Sequence, residues 1–170
     1  MNIVMISPGY PAEMAFFARG LAAAGASVIG IGDQPPSSVP QVAREALTHY
    51  LQVGSLAAGD AVVATVDELA KHMRIDRVEC LWEPYMLLAA RLREELGLPG
   101  LTMRQTLPFR DKELMKAVLD EAGLRTPGHR GTETVAGVWA AAERLGYPLI
   151  VKPIAGAGSA DTYRADIGVR

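Results

Sequence analysis

The sequence predicts an α/β protein in two parts: a parallel sheet wrapped by helices over residues 1–100, and a smaller lobe of two helices and a glycine-loop hairpin over 101–170. Three observations carry this expectation. Short β-branched runs alternate with longer stretches of helical period, which is the pattern of strand–helix–strand units. The alternation stops at Gly97-Leu98-Pro99-Gly100, a cluster that breaks both helix and strand. A glycine-rich turn then separates two further strand-like runs near the end.

In order, strands are expected at Asn2–Ile6, 27–31, 49–53 and 78–82. Met14, Phe17, Ala18 and Leu21 recur at the spacing of a helix with one buried face, and Gly25 supplies a left-handed stop. Helices over 60–73 and 84–96 repeat the pattern. In the second, Leu88, Leu92 and Leu96 form the core stripe, while Arg91, Arg93, Glu94 and Glu95 decorate the rest and Gly97 ends it. Beyond the boundary come helices over 111–122 and 134–145, each closed by a glycine, Gly123 and Gly146. Their apolar sets are Met115, Val118, Leu119 and Ala122, then Val135, Val138, Trp139 and Ala142. Tyr147-Pro148 leads into a strand over 149–152 that ends on Lys152. A loop follows, and a second strand starts at Thr162.

Composition narrows the function classes. With 49% hydrophobic and 21% charged residues the chain reads as a soluble globular protein, and no apolar run is long enough to span a bilayer. The first residues lack a basic leader and read as a strand, which with a single cysteine points to the cytoplasm. One cysteine also excludes an internal disulfide and a cysteine zinc site. A net charge of −2 gives no electrostatic reason to expect nucleic acid. His49, His72 and His129 are scattered without ligand spacing, so no metal site is expected.

The chemistry concentrates late in the chain. In Gly156-Ala157-Gly158-Ser159-Ala160 small residues let backbone amides approach phosphate oxygens, although such a pattern alone describes a mobile hairpin turn more often than a phosphate lid. Lys152 distinguishes it, because an ammonium ending a strand of buried aliphatics would stand at the base of the loop. The loop lacks the Gly-Lys-Ser/Thr ending of a Walker motif, and Ser7-Pro8-Gly9-Tyr10-Pro11 after the first strand offers one glycine where a dinucleotide fingerprint needs three. Lys112 opens a helix at the end where the dipole disfavours a cation, which invites a functional reason. Lys116, one turn on, is expected to pair with Asp120. Ser7, Asp33 and Glu83 fall just past the carboxyl ends of predicted parallel strands, where open sheets bind ligands. Glu83 equally suits the amide end of a helix.

Taken together, Phe109-Arg110-Asp111-Lys112, a helix, Ala122-Gly123-Leu124-Arg125-Thr126-Pro127, a second helix, Leu145-Gly146-Tyr147-Pro148-Leu149-Ile150-Val151-Lys152-Pro153 and the glycine loop resemble the ATP-grasp superfamily. The likeness is to the branch of biotin carboxylase and the carboxylate–amine ligases, in its N-terminal portion. It implies that residues 1–100 are a Rossmann-like domain preceding the grasp, with 101–170 the start of the ATP-grasp N-lobe. It further implies that Lys112 and Lys152 are nucleotide lysines and that Gly156, Ala157, Gly158 and Ser159 close over the terminal phosphates. Ser7 and Glu83, by their place past the strand ends, are the candidates for the substrate side.

The implied activity is activation of a small carboxylate by ATP as an acyl phosphate, then attack by an amine or related nucleophile. In the family the magnesium ligands lie in the other half, so Mg²⁺ is expected only in a full-length enzyme and the 170-residue chain is expected to be inactive alone. The residues equally suit a non-catalytic nucleotide-binding or assembly module. Neither membrane nor nucleic acid is an expected partner, and a homo-oligomer is left open.

Overall fold

The computed structural model describes residues 1–167 and divides the chain into two units, Met1–Thr106 and Leu107–Arg170. The first is built on β1 (Asn2–Ile6), which is buried on both faces from Ile3 onward. After α1 (Met14–Ala23), β2 (Ser27–Gly32) returns parallel to it, Asn2 facing Ser27 and Ile6 facing Ile31. A short α2 (Gln41–Ala46) runs directly into β3 (Leu47–Gln52). Next come α3 (Gly59–His72), β4 (Arg77–Glu79) and α4 (Met86–Glu95). All four strands are parallel in the order β3-β2-β1-β4.

Alternation along the strands explains why both faces are covered. Val4, Ile6, Ile29 and Ile31 pack with Val62, Val66, Leu88 and Leu92 of α3 and α4. Met5 and Val28 point the other way, onto Met14 and Ala18 of α1. A sheet covered on both faces needs near-continuous apolar strands, as read here.

The structure corrects several details. Phe17 does not belong to the core face: α1 buries Met14, Ala15 and Ala18, while Phe16 and Phe17 are about half exposed. The alanine edge lets α1 approach α2 closely, with Ala15 meeting Val39 and Ala43, and this turns the phenylalanines outward. The expected strand 78–82 ends at Glu79, because Ser7 turns β1 away in the left-handed region (φ 55°) and leaves Leu81 and Trp82 without a partner strand. β3 starts two residues before expectation; Val53 still donates to the Gly32 carbonyl at 2.9 Å, so the sheet pairing continues to that point. Arg93 is not surface decoration. It is buried, donating to the carbonyls of Val78 (2.9 Å) and Leu101 (3.2 Å), and so ties α4 to β4 and to the segment after it.

α5 (Met103–Arg110), absent from the sequence reading because Pro108 interrupts its pattern, runs across the division between the units. The second unit continues with α6 (Lys112–Glu121), α7 (Val135–Leu145) and an antiparallel hairpin of β5 (Leu149–Val151) and β6 (Tyr163–Ala165). Both helices start as side-chain chemistry dictates. Asp111 accepts from the amides of Glu113 and Leu114 at 2.9 and 3.0 Å, and Thr134 accepts from that of Gly137 at 3.0 Å. Of the described residues in this unit, Ala142 alone is buried. The strand before Lys152 is therefore not a buried one: Ile150 is 58% and Val151 45% exposed.

Candidate functional site

Two places hold the residues singled out by the sequence, one in each unit. In the second unit, Lys112 opens α6, and its Nζ donates to the carbonyls of Ile154 (3.1 Å) and Gly156 (3.3 Å). Its main-chain N–H also reaches the Ile154 carbonyl at 3.3 Å, and the Arg110 guanidinium donates to that of Ala155 at 3.2 Å. Residues 110–112 thus hold three successive carbonyls of the segment entering the loop. A trans peptide sets N–H opposite C=O, so this clamp turns the amides of Ala155, Gly156 and Ala157 away from α6. Among the described residues none of the three donates a hydrogen bond.

This contact supplies the reason a cation stands at a helix N-terminus. The Lys112 charge is satisfied by loop carbonyls, while the Asp111 carboxylate caps the helix amides. The loop then passes through left-handed backbone at Gly158 (φ 60°), Ser159 (φ 61°) and Asp161 (φ 52°), two of which are non-glycine residues. For the two non-glycine residues such a conformation costs about 1–3 kcal/mol each, a strain that gathers at ligand clamps and switch regions. Lys152 lies just past β5 and is exposed, so it does not stand as a fixed charge in a core. Lys116 bonds the Pro127 carbonyl at 3.4 Å instead of pairing with Asp120, which is met by Thr126. Among the described residues no cluster of three or more His, Cys, Asp or Glu could hold a metal ion.

In the first unit, a cleft of about 300 Å³ opens at the carboxyl ends of β1, β2 and β4. The strand order reverses here, β2 lying on one side of β1 and β4 on the other, which is where parallel sheets leave a crevice. Ser7 lines it, but its hydroxyl serves the turn by donating to the Tyr10 carbonyl at 2.7 Å. Asp33 also lines it; its Oδ2 accepts the Leu56 amide at 3.1 Å. Glu83 is exposed and opens a one-turn helix, while its neighbours Trp82 and Tyr85 form the wall. Sequence reading missed these rings and Tyr10 and Tyr50; the aromatic character of Trp82-Glu83-Pro84-Tyr85 was the available signal.

Residues 21–100 match the family model described as the ATP-grasp N-terminal domain. An L-arginine-specific L-amino acid ligase of Bacillus subtilis is 30% identical over 96 residues, covering 56% of this chain and 23% of that protein. The solved L-amino acid ligase of Bacillus licheniformis superposes on 98% of this chain and 39% of its own, with a TM-score of 0.77 and 25% identity. An N5-carboxyaminoimidazole synthetase of Staphylococcus aureus, complexed with ADP, shares the fold over 98% of this chain and 41% of its own (TM-score 0.75, 19% identity). The chain therefore spans well under half the length of each of these relatives. The resemblance to the ATP-grasp superfamily in its N-terminal portion holds, and the family model that supports it matches residues 21–100, ahead of the motif from Phe109 to the glycine loop on which the sequence reading rests. No helix among the described residues is long and apolar enough to cross a membrane.

Proposed function

We propose that this chain is the front part of an ATP-dependent carboxylate ligase, in which Lys112, Lys152, Gly156, Ala157, Gly158 and Ser159 hold the ATP phosphates. The observation that carries this reading is the Lys112 clamp, which joins the start of α6 to the glycine segment and leaves three adjacent amides turned away from it. An ammonium has three donors; two are engaged by carbonyls, and the third can meet a phosphate oxygen. Lys152 adds a second positive charge without a buried partner to displace. Consecutive amides of small residues then follow the phosphate chain closely. The match to ligases that join amino acids supports the reaction class: transfer of the γ-phosphoryl group to a carboxylate, then displacement of phosphate by an amine. In this reading the strand-end cleft, with Ser7 and Glu83 at its edge, lies on the substrate side, and the parent enzyme uses Mg²⁺ and works in the cytoplasm.

In this reading the magnesium ligands belong to the other half of the parent enzyme, so the 170-residue chain should bind ATP weakly and without turnover. Calorimetry is expected to give a binding free energy roughly less favourable than −6 kcal/mol. Added salt should weaken it further, and Lys112→Ala or Lys152→Ala should cost about tenfold in affinity, about 1.4 kcal/mol. Tight binding that neither lysine affects would overturn the assignment of the loop.

A further inference from the structure

The cleft at the strand ends has a chemistry of its own. Trp82 stands between Tyr10 and Tyr85, with ring centroids 4.7 and 5.0 Å away and planes inclined at 78° and 72°. Tyr50 closes the β2 side, its hydroxyl fixed on the Gln34 carbonyl at 2.8 Å. Asp33 brings a carboxylate to the same space, and among the described residues no lysine, arginine or histidine lines it. Aromatic rings attract a cation through their π systems, and a carboxylate adds a full charge, so a lining of this composition favours a cation. An anion finds little here, since the Ser7 amide is already taken by the Ile31 carbonyl at 2.7 Å.

We propose that this cleft binds the ammonium group of a small amine through Tyr10, Trp82, Tyr85 and Asp33. The carboxylate is held ready by the Leu56 amide, and the cleft lies at the lower end of the volume range of small-molecule sites. Burial raises the Tyr50 and Tyr85 phenols above their ordinary range, and the nearby Asp33 carboxylate raises both further. The inference deepens the substrate-side reading and rests on it: an amine class is assigned to a cleft that no finding on the phosphate loop defines.

The test uses tert-butylammonium and tert-butanol, alike in shape and different in charge, titrated into the 170-residue chain without nucleotide while the indole resonances of Trp82 and Trp139 are followed by NMR. The ammonium ion should shift Trp82 saturably and leave Trp139 unmoved, with the alcohol at least about tenfold weaker. Asp33→Asn keeps an acceptor for Leu56 and should weaken the ion about fivefold or more. Tyr85→Leu should do the same, and it carries the test if Asp33→Asn disturbs the fold. An equal response to the alcohol, an undiminished response in both variants, or a stronger response to inorganic phosphate overturns the proposal. ATP titrated into the same samples probes the loop separately, so a failure of the nucleotide reading and a failure of the amine reading are distinguishable.

Discussion

Single side chains show how environment, more than residue type, sets chemical behaviour here. Cys80 is buried at the end of β4 and donates to the Trp82 carbonyl at 3.3 Å. Burial pushes its thiol up to about 11, so at neutral pH the nucleophilic thiolate is scarce. Alkylation by iodoacetamide at pH 8 should therefore be slow in the folded chain and fast in urea; rapid native labelling would contradict this burial. Asp76 is the opposite case. The Asn2 amide at 2.8 Å, and then the nearby Arg74, hold its carboxyl below the ordinary carboxylate value. A depressed carboxyl contributes stability that is fully present above its unfolded value and lost as pH falls through the folded one. Asp76→Asn should thus lower the melting temperature by a constant amount from pH 7 down to about 5, and that difference should shrink below about pH 4. A difference that grows on acidification would reverse the sign and refute the pairing. Lys112 belongs at this scale too. Its place at the helix start was legible from the unfavourable dipole, but its partners, 42 and 44 residues away, were not.

Among the elements, β2 is the most tightly constrained. A side chain added at Gly30 would meet Leu47 at 2.7 Å, Pro8 at 2.8 Å and Tyr50 at 3.1 Å, so glycine here serves the close approach of β3 and the loop after β1. Gly30→Val should cost about 2 kcal/mol by overpacking, read as a lower urea midpoint with an unchanged slope. A neutral result would mean that β3 shifts freely. The existence of the four strands and of helices α1, α3, α4, α6 and α7 followed from periodicity and breakers. Which way α1 turns its phenylalanines did not, because its sequence is apolar almost all round and the choice fell to the alanine edge packed on Ala43. β5 was recognised as a strand but misjudged as buried, since a run of Leu, Ile and Val reads alike in a core and in a two-stranded hairpin.

At the scale of the molecule the two units differ in how much they bury. The four-stranded unit encloses most of its apolar side chains between helices. The hairpin unit leaves Val135, Tyr163 and Ile150 largely exposed and buries Ala142 alone among its described residues. Resistance to local opening follows buried apolar contact, so backbone amides of β1 and β2 should exchange only by global unfolding, while those of α6, α7 and β5 exchange by far easier openings. Hydrogen exchange resolved by mass spectrometry checks this; equal protection in both units would show that they open together.

The sequence by itself determined the α/β class, the parallel sheet of the first unit, the helices starting near 111 and 134, the place of the glycine loop and the resemblance to the ATP-grasp superfamily. These rest on local periodicity, on breakers and on the spacing of a few motifs, all of which are written along one stretch of chain. Only the tertiary structure decided that Arg93 is buried, that Lys112 and Arg110 clamp the loop, and that Tyr10, Asp33, Tyr50, Trp82 and Tyr85 share one cleft. Each of those depends on residues far apart in sequence meeting at a strand end or a helix start. The cleft is fixed by strand order and by the turn at Ser7, because a parallel sheet carries the loops of separate strand–helix units to the same edge, whereas the clamp is fixed by the packing of the start of α6 on the segment after β5.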